Sequence, residues 1–180
     1  MTKTLRWLSF YCVLLGSGNC LSLEGTPSAV KINSLAPDVQ LIQLETGETF
    51  QLNAYLGQVV YLDFWASYCQ SCREAFAMFN ALHQSYADQG FTVLAVNLDD
   101  DPAVLAETLE RYSLKFSVVR DNKLKSAAKR FGVEALPTGV LIDAGGRVRL
   151  YHRGFSRGSK QFLSAHIEKL LAEKELLISQ

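Results

Sequence analysis

The feature that most constrains the fold is a pair of cysteines at the junction between an apolar run and a helical pattern. The apolar run covers residues 59–66, and Cys69 and Cys72 follow it, where the helical pattern begins near Gln70. One turn of helix brings both residues onto one face, and the free N–H groups at a helix start favour a thiolate there. A disulfide between them would close almost no loop and would contribute little stability. The pair therefore indicates reversible disulfide chemistry rather than a structural cross-link.

The first twenty residues have the pattern of a targeting segment. Lys3 and Arg6 give a positive start, an apolar stretch covers residues 7–15, and small residues follow it. The apolar stretch is shorter than the roughly 20 residues that a membrane-spanning helix needs. We therefore predict a secretory signal over residues 1–20. An uncleaved anchor is one alternative, and lipidation of Cys20, which would tether the chain to a membrane, is another.

The charge balance after removal of this segment narrows the classes of function. The chain has 180 residues, with Lys+Arg 18 and Asp+Glu 18, so that removing Lys3 and Arg6 leaves a formal charge of −2. This balance does not indicate nucleic-acid binding, and no later segment is apolar enough to cross a membrane. Export would place the chain in the periplasm or at the outer face of the cytoplasmic membrane. In such an oxidising compartment a cysteine pair can cycle only with a redox partner.

The rest of the chain is predicted to be one α/β domain over residues 34–176, preceded by a polar tether over residues 21–33. Buried strands are expected at residues 59–66 and 91–98, each followed by a helix, which requires parallel pairing with helical crossovers. Hairpins are expected near both ends of the domain, the second around the turn at residues 143–146. The expected helices begin near Gln70, Pro102 and Lys123 and end near Gly90, Tyr112 and Gly132, before a C-terminal amphipathic helix.

Three short motifs carry a resemblance to a known superfamily. They are residues 63–73 (DFWASYCQSCR), residues 136–138 (LPT) and residues 141–146 (LIDAGG). With these motifs the chain resembles the thioredoxin superfamily, and within it the exported TlpA/ResA-like thiol–disulfide oxidoreductases, over residues 34–172. The resemblance implies a thioredoxin-like fold with a central mixed sheet flanked by helices, an N-terminal β-hairpin and an insertion before the cis-proline strand. It also implies protein disulfide clients, apocytochrome-like chains among them, and a membrane thiol electron donor, without a cofactor.

The two cysteines are expected to have different tasks. Cys69, at the exposed N-terminal side of the helix, is the expected nucleophile, and Cys72, one turn further in, is the expected resolving thiol. The alternative is that the two cysteines supply half of the ligands of a zinc site. A closed zinc site needs four ligands, however, and the histidines offer no matching pair. We therefore predict no metal and expect the three histidines to be surface residues without a role: His83, His152 and His166.

Asp63 is a charged residue within an otherwise apolar strand. Burying a carboxylate is costly unless it is paired or protonated, so its presence there needs a reason. The resemblance places Asp63 behind the cysteine pair, where a raised pKa would let it take a proton from Cys72 through water. The alternative is a position at the strand edge that faces solvent.

Pro137 resembles the cis-proline that faces the cysteines in this fold. A cis bond would expose the backbone of Leu136 to pair with an extended substrate strand. The alternative is a trans proline that opens an edge strand. Trp65 and Tyr68 would flank the site, and packing in the core or at the rim is the alternative for both.

Three consecutive aspartates, residues 99–101, precede the helix that begins at Pro102. They could hold a cation. A run of acidic residues before a helix more often caps it, and a proline in the first turn supports that interpretation. We therefore expect them to cap the helix.

The leading functional hypothesis is an exported thiol–disulfide oxidoreductase that acts as a reductant of protein disulfides. Gln70 and Ser71 stand where strongly oxidising relatives have a histidine, which favours reduction. One alternative is a peroxiredoxin-like peroxidase, because both groups share the stretch at residues 36–38, although the Pro-x-x-x-Thr/Ser-x-x-Cys pattern is absent. Another is a non-catalytic binding module. Relatives of the cytochrome-maturation type usually have glutamate at the position of Ala75, which weakens the transfer of the narrow cytochrome-maturation role to this chain.

Overall fold

The structure, a computed structural model, describes residues 30–156 and 158–178. The predicted signal segment and Cys20 lie outside these residues. The strands are β1 (Gln40–Gln43), β2 (Thr49–Gln51), β3 (Val59–Trp65), β4 (Phe91–Asn97), β5 (Ser117–Arg120), β6 (Thr138–Ile142) and β7 (Val148–Arg153). The helices are α1 (Gln70–Tyr86), α2 (Pro102–Glu110), α3 (Ser126–Phe131) and α4 (Ser159–Ile178).

The strands of the described residues form one mixed sheet in the order β2-β1-β5-β4-β3-β6-β7. β3, β4 and β5 are parallel, with α1 and α2 in the crossovers, and the remaining pairs are antiparallel. This confirms the predicted thioredoxin-like architecture and its N-terminal hairpin. The segment between β4 and Pro137 supplies α2, β5 and α3, and β5 lies between β4 and the hairpin.

The central strands are buried along their whole lengths because both faces of the sheet are covered. Successive residues of β3 point to opposite faces and so contribute to two separate cores. Tyr61 and Trp65 pack against α1 and α4, whereas Leu62 and Phe64 pack against α3 and the N-terminal hairpin. Asp63 shares the face of Tyr61 and Trp65, and β3 thereby directs it towards α1.

Three helix boundaries differ from the sequence-based expectation. α1 ends at Tyr86, and a short 3-10 helix over Ala87–Gln89 continues to the expected end near Gly90. α2 ends at Glu110, two residues before the expected end. α3 begins at Ser126 rather than near Lys123. The carboxylate of Asp121 accepts hydrogen bonds from the N–H groups of residues 127 and 128 at 3.1 and 2.8 Å, which fixes where the helix begins.

The first described residues already contact the sheet. The N–H of Asn33 donates to the carbonyl of Val148 at 2.7 Å, and Val30 packs against the core on the α3 side. Residues 30–33 therefore pack on the domain that the tether was expected only to precede.

Candidate active site

Cys69 and Cys72 lie where β3 leads into α1, and a disulfide joins them with a Cα–Cα distance of 5.3 Å. Cys69 is the N-cap of α1, and its sulfur accepts a hydrogen bond from the N–H of Cys72 at 3.2 Å. This donor and the positive end of the helix dipole would stabilise a thiolate on Cys69 in the reduced protein. Cys69 is 9% exposed and Cys72 is 0% exposed, so only Cys69 presents surface to another molecule.

A groove of about 730 Å³ lies beside Cys69, and we call it the client groove. The start of α1 and the loop before it form one side, with Tyr68 and Glu74 among the lining residues. Leu98 and residues 133–136 form the other side. Tyr68 is 79% exposed, which is unusual for a large aromatic residue. Of the residues expected to contact substrate, Tyr68 and Leu136 therefore line the groove.

The peptide bond between Leu136 and Pro137 is cis, in agreement with the resemblance. Within residues 30–156 and 158–178, neither the N–H nor the carbonyl of Leu136 has a hydrogen-bond partner. The carbonyl of Pro137, by contrast, accepts from the N–H of Gly154 at 2.9 Å. Leu136 therefore presents a free backbone donor and acceptor beside the cysteines.

Trp65 packs in the core instead of lining the client groove. Its ring lies edge-on to that of Phe76, with centroids 4.9 Å apart. Its Nε1 has no hydrogen-bond partner in the part of the chain that the structure describes. Trp65 thus supports the cysteine pair from beneath, which was the alternative interpretation.

Asp63 is buried, with an exposure of 1%, so the alternative of a solvent-facing strand edge is wrong. Burial raises the pKa of its carboxyl well above the ordinary value of 3.8, and Oδ2 has no partner among the described residues. Asp63 lines a small cavity of about 10 Å³ together with Ala75 and Pro137. This volume is close to what one water molecule needs. Ala75 lies one helical turn after Cys72, so the cavity is about one turn of α1 away from Cys72.

All three histidines are half-buried, so each keeps part of its surface exposed. His152 pairs with Gly139 across β7 and β6 and lines the cavity of Asp63. Burial lowers the pKa of both His152 and His83. No group of His, Cys, Asp and Glu within the described ranges is arranged to hold a metal ion.

A network of hydrogen bonds behind the loop that precedes Cys69 was not predicted from the sequence. Asp99 is buried, and its carboxylate accepts from the N–H of Ser67 at 3.0 Å and from the Ser67 hydroxyl at 2.6 Å. The side-chain amide of Asn97 donates to the same carboxylate at 2.8 Å. Together these bonds hold Ser67, two residues before Cys69, in one position.

The three aspartates therefore do not act together as a cap, which corrects the expectation. Only Asp101 caps α2, by accepting from the N–H of Ala103 at 2.8 Å. Asp100 forms an ion pair with Lys125 at 2.9 Å, and Asp99 points inward. Asn97 was the sequence feature that could have indicated the inward position of Asp99. Residues two apart in an extended chain share a face, and Asn97 ends the buried strand β4.

Comparisons with known proteins agree with this geometry. The AhpC/TSA family profile matches residues 32–151. The thiol-disulfide oxidoreductase ResA of Geobacillus thermodenitrificans is 34% identical over 143 residues, which cover 79% of this chain and 80% of that protein. A crystal structure from Chlorobium tepidum, assigned as the thiol:disulfide interchange protein DsbE, is 36% identical with a TM-score of 0.75 and covers 79% of this chain and 99% of that one.

A third relative is the exposed lipoprotein thioredoxin Etrx1 of Streptococcus pneumoniae. It is 27% identical with a TM-score of 0.64, and the match covers 74% of this chain and 99% of that one. The family match, the ResA relatives and the disulfide at the start of α1 lead to one conclusion. The chain belongs to the AhpC/TSA family and is a thioredoxin-fold thiol–disulfide oxidoreductase similar to ResA.

Proposed function

We propose that this oxidoreductase works outside the cytoplasm and reduces disulfides in client proteins. The observation that carries the proposal is the difference between the two cysteines. Cys69 is accessible beside the client groove, and its sulfur accepts a hydrogen bond from the N–H of Cys72 at the start of α1. The side chain of Cys72 is fully buried. A client can therefore meet the first sulfur but not the second.

In the first step the Cys69 thiolate attacks one sulfur of the client disulfide. The client S–S bond breaks, a mixed disulfide with Cys69 forms, and the other client sulfur leaves as a thiolate. In the second step Cys72 loses its proton and attacks the sulfur of Cys69. The mixed disulfide breaks, the second client thiolate leaves, and the Cys69–Cys72 disulfide forms. The client gains the two electrons that the cysteine pair loses.

Asp63 is the proposed acceptor of the proton from Cys72. Its carboxyl is buried with a raised pKa, and its Oδ2 has no partner among the described residues. The cavity beside it has the volume for a water molecule and reaches Ala75, one turn after Cys72. A carboxyl with a raised pKa is suited to exchanging a proton near neutral pH.

The client is proposed to bind as an extended segment in the client groove. The N–H and carbonyl of Leu136, which have no partner among the described residues, can each form a backbone hydrogen bond with such a segment. These bonds require no particular client sequence. Tyr68 offers a large exposed ring at the other side of the groove. These features support broad recognition of protein disulfides, apocytochrome-like chains included.

The proposed location requires a supply of electrons. A pair of cysteines in an oxidising compartment returns to the reduced form only through a donor, and we propose a membrane thiol donor. The targeting pattern of residues 1–20 supports export, and the lipoprotein relative supports a tether through Cys20. Within residues 30–156 and 158–178, no helix has the length and apolar character to span a bilayer.

The direct test is the reduction of insulin disulfides by the protein with a limiting chemical thiol. We expect activity with the wild-type protein, none with Cys69→Ser, and an accumulating mixed disulfide with Cys72→Ser. A Cys69→Ser variant that kept full activity in this and a client-binding assay would favour the non-catalytic binding module instead.

A further inference from the structure

A second cavity, of about 390 Å³, shares Tyr68 with the client groove, and we call it the arginine cavity. Its ionisable lining consists of Arg73 and Arg111 together with Tyr68 and Tyr112. Its lining, as far as the structure describes it, includes no carboxylate. The arginine cavity therefore presents positive charge next to Tyr68, the residue before Cys69.

The client groove has the opposite character. Its charged lining residues are Glu74 and Glu134, without a lysine or arginine among the described residues that line it. Glu134 also pairs with Arg153 at 3.1 Å, which reduces its net effect. Tyr68 lies between two surfaces of different charge, so a client at Cys69 would meet both.

Arg73 is held in place by the network behind the cysteine loop. Its guanidinium donates to the carbonyl of Ser67, and Ser67 is fixed by Asp99. Arg73 is half-buried, and within the described residues it forms no ion pair with a carboxylate. A cation that is already ordered and has no counterion can bind an anion at a smaller entropic cost.

Arg111 supplies a second and more exposed positive charge. Its side chain is 69% exposed and pairs with Glu107 one turn earlier on α2. An exposed pair of this kind contributes little, so an incoming anion can compete for Arg111. Next to it, the ring of Tyr112 is anchored edge-on against Phe76 at a centroid distance of 5.2 Å.

We propose that the arginine cavity binds a carboxylate side chain that a client protein carries close to its reactive cysteine. The proposal rests on the proposed function, because it assumes that the client disulfide is attacked by Cys69. Two guanidinium groups and two phenol groups form a donor set that suits a carboxylate. The cavity would favour clients whose Asp or Glu side chain faces α2 of this protein when their cysteine is at Cys69. It would mainly raise the rate at which such clients associate.

The test compares two aromatic disulfides as probes. Dithiobis(nitrobenzoate) carries a carboxylate on each ring, whereas dithiodipyridine is uncharged at neutral pH. With either probe Cys69 breaks the S–S bond and releases one aromatic thiolate, and Cys72 then releases the other. We expect Arg111→Gln to slow the reaction of reduced protein with the carboxylate probe about threefold and to leave the uncharged probe unaffected.

Two further variants and the salt dependence make the test specific. Arg111→Lys should keep most of the rate because it keeps the charge. Arg130→Gln removes the same charge from α3, outside both cavities, and should change neither rate. The preference for the carboxylate probe should weaken at high salt. Arg73 is not the residue to change first, because its substitution would also disturb the loop at Ser67.

An equal effect of Arg111→Gln on both probes, or on neither, would overturn the arginine cavity as an anion site. So would an equal loss in Arg130→Gln, since that would assign the effect to net charge. Failure of both probes to react with the wild-type protein would instead contradict the proposed function, because Cys69 would then not be an accessible nucleophile.

Discussion

Asp63 and His152 line the same small cavity although they belong to β3 and β7, two strands that β6 separates. Burial favours the uncharged form of both, raising the pKa of Asp63 and lowering that of His152. The cavity can therefore hold both side chains in their uncharged forms, without a buried ion pair between them.

Asp63→Asn should stabilise the oxidised protein at alkaline pH. The pKa of Asp63 is raised in the folded protein, so its contribution to stability is fully present below about 3.8 and is lost as the pH rises through the folded value. The side chain of Asn does not ionise, so the variant does not lose stability at position 63 as the pH rises. We expect the variant to gain about 1 kcal/mol or more at about pH 8 relative to about pH 4, measured by urea unfolding.

Asp88→Asn is the matched control, because Asp88 is exposed in the short 3-10 helix that follows α1. It should show no comparable dependence on pH. A gain in Asp63→Asn that is the same at both pH values would argue against an effect of the buried charge.

The same Asp63→Asn variant should resolve the mixed disulfide more slowly near neutral pH. Removing the proposed proton acceptor should slow release of the client at least about tenfold, whereas the first attack by Cys69 should change little. Stopped-flow kinetics with a fluorescent disulfide peptide separates the two steps. A rate profile identical to wild type between about pH 5 and 9 would contradict the role of Asp63.

Ser67→Ala should destabilise the loop before Cys69. The hydroxyl of Ser67 donates to the buried carboxylate of Asp99 at 2.6 Å, and loss of a hydrogen bond to a charged group costs about 1.5–3 kcal/mol. Urea unfolding measures this cost. Ser85→Ala, at an exposed position on α1, should be nearly neutral. Equal effects of the two substitutions would show that the network does not hold the loop.

The protein should consume hydrogen peroxide no faster than its Cys69→Ser variant. A peroxidase of this family would need a Thr or Ser three residues before the reactive cysteine, and Ala66 stands there, fully buried. Peroxide consumption by the purified protein with a recycling thiol measures this directly. A rate that depends on Cys69 would favour the peroxidase alternative.

Much of the fold could be predicted because strong local patterns coincide around the cysteines. The apolar run of β3, the start of α1 at Gln70 and the turn at residues 143–146 each have a clear physical cause. The buried position of Asp63 followed from the apolar neighbours on either side of it. The cysteine pair itself needed only its spacing and its place at a helix start.

The remaining parts of the site arise from contacts between distant segments. Ser67 and Asp99 are 32 positions apart, and only the pairing of β3 with β4 brings them together. The arginine cavity needs α2 beside the start of α1. Arg73 ends the motif at residues 63–73, but Arg111 stands in no recognisable motif, so the sequence did not indicate that the two lie together. The position of His152 beside the cavity of Asp63 could not be predicted, because the weak alternation of β7 does not indicate which residues face inward.

The most direct measurement is the reduction potential of the Cys69–Cys72 pair. Trp65 lies four residues before Cys69, and the only other tryptophan, Trp7, lies in the predicted signal segment, so tryptophan fluorescence in glutathione or dithiothreitol buffers should follow the redox state. A protein that reduces its clients should have a potential near the roughly −270 mV of thioredoxin. A value close to the roughly −120 mV of a strong oxidant would contradict the account and reverse the direction of electron flow.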